Sequence, residues 1–140
     1  MIPDSKSHAA LIDALSAEHQ ALLPELARLA QEAAASPESL KAAFGRIAPL
    51  IGLPLDEHIV NEDRELFPAY AACGGDAGIL AFFTEEHVEI LALRNRLVAA
   101  VEDNGNIDEI RFLAEQLADT LSAHMNREEE MLFPAMRDLL

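Results

Sequence analysis

The chain has 140 residues, 51% of them hydrophobic, and its 25 acidic and 10 basic residues give a formal net charge of −15. This length suits a single domain, which can bury about 70% of the surface that its unfolded chain exposes. The negative charge argues against direct binding to the phosphates of nucleic acids. Cys73 is the only cysteine, which excludes an intrachain disulfide and a zinc cluster built on thiolates.

The N-terminal residues lack the charged start and the apolar run of a signal peptide. No stretch of the sequence approaches the roughly 18 uninterrupted apolar residues that indicate a membrane-spanning helix. We therefore expect a cytoplasmic protein that binds neither membranes nor nucleic acid, with a protein partner that the sequence does not identify.

The first predicted helix runs from about Ser7 to Ala35. Leucines that recur at helical spacing supply its apolar stripe: Leu11, Leu15, Leu22, Leu26 and Leu29. Pro24 lies inside this stretch and is expected to bend or split the helix, because proline lacks the backbone N–H donor.

The second predicted helix runs from about Pro37 to Leu66, with Ser36 as its N-cap. Four residues inside it weaken the helix: Gly45, Pro49, Gly52 and Pro54. The apolar spacing continues through them, so the sequence favours a kinked helix over a loop. The glycine-rich stretch from Tyr70 to Gly78 is expected to be a loop between two halves of the chain.

The third predicted helix covers about Asp76 to Asp103. The stretch Asn106 to Glu109 has the form of a capping box, which predicts that a fourth helix starts there and continues to near the C-terminus. No segment has the pattern of a strand. The sequence thus predicts an all-α, up-down-up-down four-helix bundle in one domain that spans residues 1–140.

One sequence phrase occurs twice in the chain. The stretch from His58 to Ala69 is repeated from His124 to Ala135, 66 residues later, with His, Glu, Leu, Phe, Pro and Ala in identical register. Each copy begins with a His-x3-Glu pair, whose members lie on one face of a helix, with Cβ atoms roughly 6 Å apart. An imidazole and a carboxylate in this arrangement can bind one metal ion or two adjacent ions.

A shorter repeat precedes each copy of the phrase. Ser16-Ala-Glu18-His19 matches Thr84-Glu-Glu86-His87, 68 residues later. The chain therefore divides into two similar halves, each with a helix that carries one histidine and a helix that carries a His-x3-Glu pair. The inward-facing set that this predicts is His19, His58, Glu62, His87, His124 and Glu128.

A single His-x3-Glu pair is most often a surface pair, and a single helical histidine is most often exposed or hydrogen-bonded in the core. The duplication of the whole set favours a metal site instead. Imidazole with carboxylate suits iron, manganese, zinc or cobalt, whereas calcium and magnesium prefer oxygen ligands alone. Four imidazoles and two bridging carboxylates would give each of two metal ions two nitrogen and two oxygen ligands, with coordination positions left open.

Together these motifs resemble those of the hemerythrin-like family, also called the HHE cation-binding domain. The resemblance rests on Glu18-His19, His58-x3-Glu62, Glu86-His87 and His124-x3-Glu128, and on the Leu-Phe-Pro triplet that follows each His-x3-Glu pair. It implies a bundle that holds two iron ions in an oxo- or hydroxo-bridged diiron centre. By position, the four histidines would be terminal ligands and the two glutamates would bridge.

The chain departs from the oxygen-carrying members of that family. Those members have a fifth histidine ligand on the third helix, whereas Phe83 and Leu91 stand four residues either side of His87 here. They also use an aspartate at the position of Glu129, but the internal repeat favours Glu128 as the ligand. The Glu-x-x-His motif of ferritin-like proteins is absent.

The leading hypothesis is a non-haem diiron protein that binds, senses or reacts with O2, NO or peroxide. Two alternatives remain open: a non-catalytic module that senses iron or oxygen, and a bundle that binds zinc or manganese. Glu18, Glu86 and Glu129 neighbour the expected ligands and are candidates for hydrogen bonds to them. His8 is expected to lie at the surface near the start of the first helix.

Overall fold

The computed structural model describes the backbone of residues 5–140 and the side chains from His8 onward. The described chain is almost entirely helical and contains no strand, which confirms the all-α prediction. Its segments are α1 (Ser5–Ala33), α2 (Pro37–Ile51), α3 (Leu53–Asn61), the π-helical segment π1 (Glu62–Leu66), α4 (Phe67–Ala72), α5 (Ala77–Glu102), α6 (Ile107–Arg127), the π-helical segment π2 (Glu128–Leu132) and α7 (Phe133–Leu139).

The described segments form five continuous helical rods rather than the four that the sequence predicted. α3, π1 and α4 follow one another directly, and so do α6, π2 and α7. The additional break falls at Gly52, whose φ of −85° and ψ of −121° are not helical. Pro54 stands in the first turn of α3, where proline is well tolerated and the preceding residue is disfavoured in helical geometry.

The break at Gly52 is held from the side by Arg94 of α5. Its Nη1 atom donates to the backbone oxygen of Ile51 at 3.0 Å and to the carboxylate of Asp56 at 2.7 Å. A carbonyl left free at the end of α2 thus finds a charged donor. Pro24, in contrast, does not split α1, which continues through it with Leu22 and Leu26 buried on either side.

The remaining helix boundaries agree with the sequence within a few residues. Ser36 caps α2 by accepting a hydrogen bond from the backbone of Ser39 at 3.1 Å, and Asn106 caps α6 in the same way. The expected loop is shorter than predicted, because α4 extends through Ala72. The turn then closes tightly, since a Cβ atom at Gly75 would collide with the ring of Tyr70.

The helices enclose two apolar clusters. α1 packs against α2 and α6, and α5 packs against α6. The larger cluster includes Leu26, Ile47, Leu97 and Leu117. The smaller cluster comprises Ile12, Leu15, Leu66, Phe67, Tyr70, Leu80, Phe83, Leu132, Phe133 and Met136.

Several helical rods contribute residues to both apolar clusters. On each of these rods, polar residues lie between the part that packs in one cluster and the part that packs in the other. In α1, for example, Leu15 belongs to the smaller cluster, Leu22 belongs to the larger one, and His19 lies between them. The structure therefore places a polar layer across an otherwise apolar interior. Among the described residues, no helix is long and apolar enough to cross a membrane.

Candidate metal centre

The structure brings together all six residues of the predicted ligand set. They form two overlapping groups, within each of which one potential ligand atom per residue lies within 4.8 Å of the others. We call these groups the first position (His19, His58, Glu62 and Glu128) and the second position (Glu62, His87, His124 and Glu128). All six side chains are buried, and both glutamates have no exposed surface.

Glu62 lies between the two positions. Its Oε1 atom is 2.9 Å from Nε2 of His87, and its Oε2 atom is 3.5 Å from Nε2 of His58. The two oxygens of one carboxylate thus face one histidine from each half of the chain.

Glu128 is placed in a related way. Its Oε1 atom lies 3.2 Å from Nε2 of His124 and 3.3 Å from Nε2 of His19. Both glutamates belong to both groups, which is the arrangement that bridging carboxylates require.

The central carboxylates lack ordinary hydrogen-bond partners. None of the four oxygens of Glu62 and Glu128 has one, whereas the Nε2 atoms of His19 and His58 lie within hydrogen-bond distance of each other, at 3.2 Å. Burying ionisable groups without compensation is costly. Bound cations would satisfy these converging lone pairs, so the donor set fits a pair of transition-metal ions.

The outer nitrogens of the histidines bind a second set of carboxylates. The Nδ1 atom of His58 lies 2.7 Å from Glu18, that of His87 lies 2.9 Å from Asp63, and that of His124 lies 2.9 Å from Glu86. When Nδ1 carries the proton and donates it outward, the Nε2 lone pair is left facing the centre. Histidines that bind metals are commonly oriented by such bonds.

His19 has the loosest outer contact of the four. Its Nδ1 atom is 3.6 Å from Glu129, which is too far for a hydrogen bond, while Glu129 accepts a bond of 2.8 Å from Ser16. Glu129 thus stands beside a histidine, and Glu128 occupies the centre. This placement agrees with the choice that the internal repeat favoured.

Asp63 is a residue of the candidate site that the sequence analysis missed. The repeat contained a signal for it, because Asp63 follows Glu62 as Glu129 follows Glu128. Each of these acids reaches the first histidine of the opposite half: Asp63 reaches His87, and Glu129 lies near His19. The missing information was three-dimensional, since this exchange depends on how the halves pack.

The two π-helical segments begin at the central glutamates. The backbone N–H of Phe67 bonds to the carbonyl of Glu62, five residues earlier, and Phe133 bonds to Glu128 in the same way. The proline after each phenylalanine explains this register, because a helical proline lacks a donor and its ring displaces the carbonyl four residues earlier. Such π segments are frequent at functional sites.

The phenylalanine of each Leu-Phe-Pro triplet stacks on a histidine of the other half. The ring of Phe133 lies 5.5 Å from that of His19, and the ring of Phe67 lies 5.8 Å from that of His87, both nearly parallel. The repeated triplet therefore has two effects: it sets the π segment and it fixes the plane of an imidazole.

The surroundings shift the pKa values of the histidines in opposite directions. Burial and the neighbouring His58 lower the pKa of His19 from 6.5 to about 3, and burial also lowers the pKa of His124. For His58 and His87 burial again lowers the pKa, but the nearby carboxylate of Glu62 outweighs it and the net pKa is raised.

The pKa values of the central carboxyls also diverge. Burial and the charge of Glu62 raise the pKa of Glu128 well above its usual range. Burial acts in the same direction on Glu62, but the close contacts with Glu128, His58 and His87 overcome it and lower the pKa of Glu62. Protonation of the metal-free centre is therefore favoured at Glu128 over Glu62.

A cavity of about 90 Å³ adjoins the four histidines. Its walls are mainly apolar and include Leu22, Leu55, Ile90, Leu121 and Met125. By the same measure of volume, a cavity needs only about 10–15 Å³ to hold one water molecule. The space beside the imidazoles therefore suits a molecule of a few atoms.

Two residues near the centre bear on the expected ligand set. His8 is buried rather than exposed, because it lies one helical turn before Ile12, at the end of the smaller cluster. It is absent from both ligand groups. Phe83 packs edge-on against His124 with ring centroids 5.3 Å apart, which leaves no ligand at the position where the oxygen carriers have a fifth histidine.

Comparison with known proteins identifies part of the chain. Residues 78–139 match the family model described as the hemerythrin HHE cation binding domain. No curated protein and no solved structure matches the chain. The matched range contains His87, His124 and Glu128 of the second position. The match confirms, over that range, the resemblance that the repeated motifs indicated.

Proposed function

We propose that this chain is a non-haem diiron protein that binds, senses or reacts with O2, NO or peroxide. One observation carries the proposal: two fully buried carboxylates, without other partners, lie between two pairs of histidine Nε2 atoms. A structural zinc site is usually a closed tetrahedron around one ion. Six ligands in two overlapping groups favour two ions with shared carboxylates.

The residues around the ligands support reactivity with a small molecule. Bound iron would supply open coordination positions and the capacity to exchange electrons. Outward hydrogen bonds to Glu18, Asp63 and Glu86 orient three imidazoles, and the apolar cavity admits a small ligand while limiting access of water.

We also infer that residues 1–140 act as one hemerythrin-like domain of the up-down-up-down bundle type. Neither half of the chain holds a complete ligand group, because the first position needs Glu128 and the second needs Glu62. In this view α2 and the α3–α4 rod together form one arm of the bundle, bent at Gly52.

The proposal is tested by loading the metal-free protein with ferrous iron under anaerobic conditions. We expect about two irons per chain and a change in visible absorption when air is admitted. Glu62→Gln keeps the size of the side chain but removes its charge, and should reduce the bound iron to one per chain or fewer. Glu65→Gln alters an exposed glutamate on the same segment and should leave iron binding unchanged.

Different results would favour the alternatives. Zinc or manganese bound in preference to iron, or iron whose spectrum is unaffected by air, NO and peroxide, would contradict the proposal and favour a metal-binding bundle. If O2, NO or peroxide changes the spectrum of the iron-loaded protein but is not consumed in a reaction, the protein senses the ligand rather than converting it.

A further inference from the structure

The two metal positions are alike in their ligands but differ in what lies behind them. At the second position, Glu86 binds Nδ1 of His124 with one oxygen and the guanidinium of Arg127 with the other. At the first position, the equivalent Glu18 binds Nδ1 of His58, and no basic side chain among the described residues pairs with it. The side chain of Glu86 is 13% exposed, whereas that of Glu18 is 49% exposed.

This difference arises from two departures from the internal repeat. The position that corresponds to Arg127 in the first half is Asn61, and the position that corresponds to Phe82 is Ala14. The guanidinium of Arg127 lies 5.4 Å from the centre of the Phe82 ring, which holds it over Glu86. The first half thus lacks both the cation and the aromatic ring that supports it.

The arginine affects the second position in two opposing ways. Arg127 shares the negative charge of Glu86, which weakens the hydrogen bond that Nδ1 of His124 donates to Glu86 and makes that imidazole a weaker ligand for a metal ion. The positive charge of Arg127 also repels a cation bound nearby. Against this, the ion pair fixes the orientation of Glu86 and thereby of His124. Because Glu86 is largely shielded from water, we expect the charge effect to exceed the gain from orientation.

We propose that Arg127, acting through Glu86 and His124, lowers the cation affinity of the second position relative to the first. This inference rests on the proposed two-metal function. It makes Arg127 a positioning residue that sets the order of filling, with the His19 and His58 side filled before the His87 and His124 side. A partly loaded protein would then hold its single ion at a defined place.

The test is an anaerobic titration of the metal-free chain with Co²⁺, followed by calorimetry and by visible absorption. Repulsion between two nearby cations separates the binding steps even in a symmetric site, so the comparison between variants is decisive. In Arg127→Gln we expect the second step to tighten by about tenfold, an effect similar in size but opposite in sign to that of losing an outer hydrogen-bond partner of a ligand. Arg137→Gln removes the same charge from an exposed pair with Asp13 and should change neither step.

A second variant tests the idea in the opposite direction. Asn61→Arg places a guanidinium at the equivalent position in the first half and should weaken the first step, which narrows the gap between the steps. An unchanged or weaker second step in Arg127→Gln, or an equal change in Arg137→Gln, would overturn the inference and leave the two-metal proposal intact. Fewer than two ions bound by the unaltered chain would overturn both.

Discussion

At the scale of single residues, the central carboxyls show what binding a metal ion would cost and gain. Glu62 and Glu128 occupy equivalent places in the repeat, yet one has a lowered pKa and the other a raised pKa. The asymmetry has a simple cause: two carboxylates this close to each other do not both ionise readily in a buried site. The metal-free centre is therefore strained electrostatically, and cations would relieve that strain.

Replacing Glu128 by Gln should stabilise the metal-free protein and weaken metal binding. The amide resembles the protonated acid, so the substitution should raise the free energy of unfolding by removing the cost of holding a buried carboxyl that ionises readily in the unfolded chain. A carboxyl with a raised pKa destabilises the folded state above its unfolded pKa, so the gain should be larger at pH 8 than at pH 5. Urea unfolding at both values measures it.

Glu130→Gln is the matched control for this substitution, because Glu130 lies two residues away and is exposed. It should alter neither the free energy of unfolding nor the number of ions bound. Equal stability of Glu128→Gln and the unaltered protein at pH 8 would contradict the electrostatic account.

Metal affinity should increase with pH through the neutral range. The pKa values of His58, His87 and Glu128 are all raised, so these groups hold protons to a higher pH than usual, and binding a cation should release them. Affinity is then lost as pH falls through these raised pKa values. Zinc binding measured from pH 6 to pH 8.5 in several buffers should show proton release at the lower values; affinity independent of pH would contradict the assignment.

At the scale of the elements, the Leu-Phe-Pro triplets turn ordinary helices into π segments at the point where ligands are needed. The extra residue in the turn changes which side chains face the interior. It allows Glu62 to reach the centre while Phe67 stacks on His87. A regular helix through the same residues would not hold both placements.

Pro68→Ala should therefore weaken metal binding without reducing helix content. Alanine restores the missing donor and removes the ring that displaces the carbonyl, so the local register can revert to that of an α-helix. We expect a cation affinity about tenfold lower, from the misplaced Glu62 and Phe67. Circular dichroism reports the helix content and calorimetry reports the affinity.

Pro24→Ala provides the comparison, because Pro24 also lies inside a helix but has no π segment before it. This variant should bind metal normally. If Pro68→Ala binds metal as tightly as Pro24→Ala does, the proline does not set the site.

The sequence predicted which residues meet at the centre better than it predicted the elements. This set of residues could be chosen because duplication placed His58 and His124 in identical register, a signal that single motifs lack. The break at Gly52 could not be located, because Gly45, Pro49 and Pro54 weakened the same helix and only packing against Arg94 distinguished among them. Asp63 was missed because its partner, His87, belongs to the other half of the chain.

At the scale of the whole molecule, the centre joins the two halves of the chain. Each of the two groups takes three residues from one half and a glutamate from the other. The outer contacts cross in the same sense, since Asp63 bonds to His87 and Glu129 lies near His19. The polar layer also lies between the two apolar clusters. A change in the stability of this layer should therefore affect the packing of both clusters.

Metal loading should consequently stabilise the entire fold in one cooperative transition. A ligand that binds only the folded state at a 1,000-fold excess over its Kd adds about 4 kcal/mol to the free energy of unfolding for one site. The metal-free chain must bury six ionisable groups without this compensation, so its melting temperature should be clearly lower.

Differential scanning calorimetry of the loaded form, the chelated form and the chelated form after zinc is restored measures the difference. His58→Ala should abolish most of the gain, whereas Glu65→Gln should preserve it. Equal melting of loaded and metal-free protein would show that the layer is satisfied without cations.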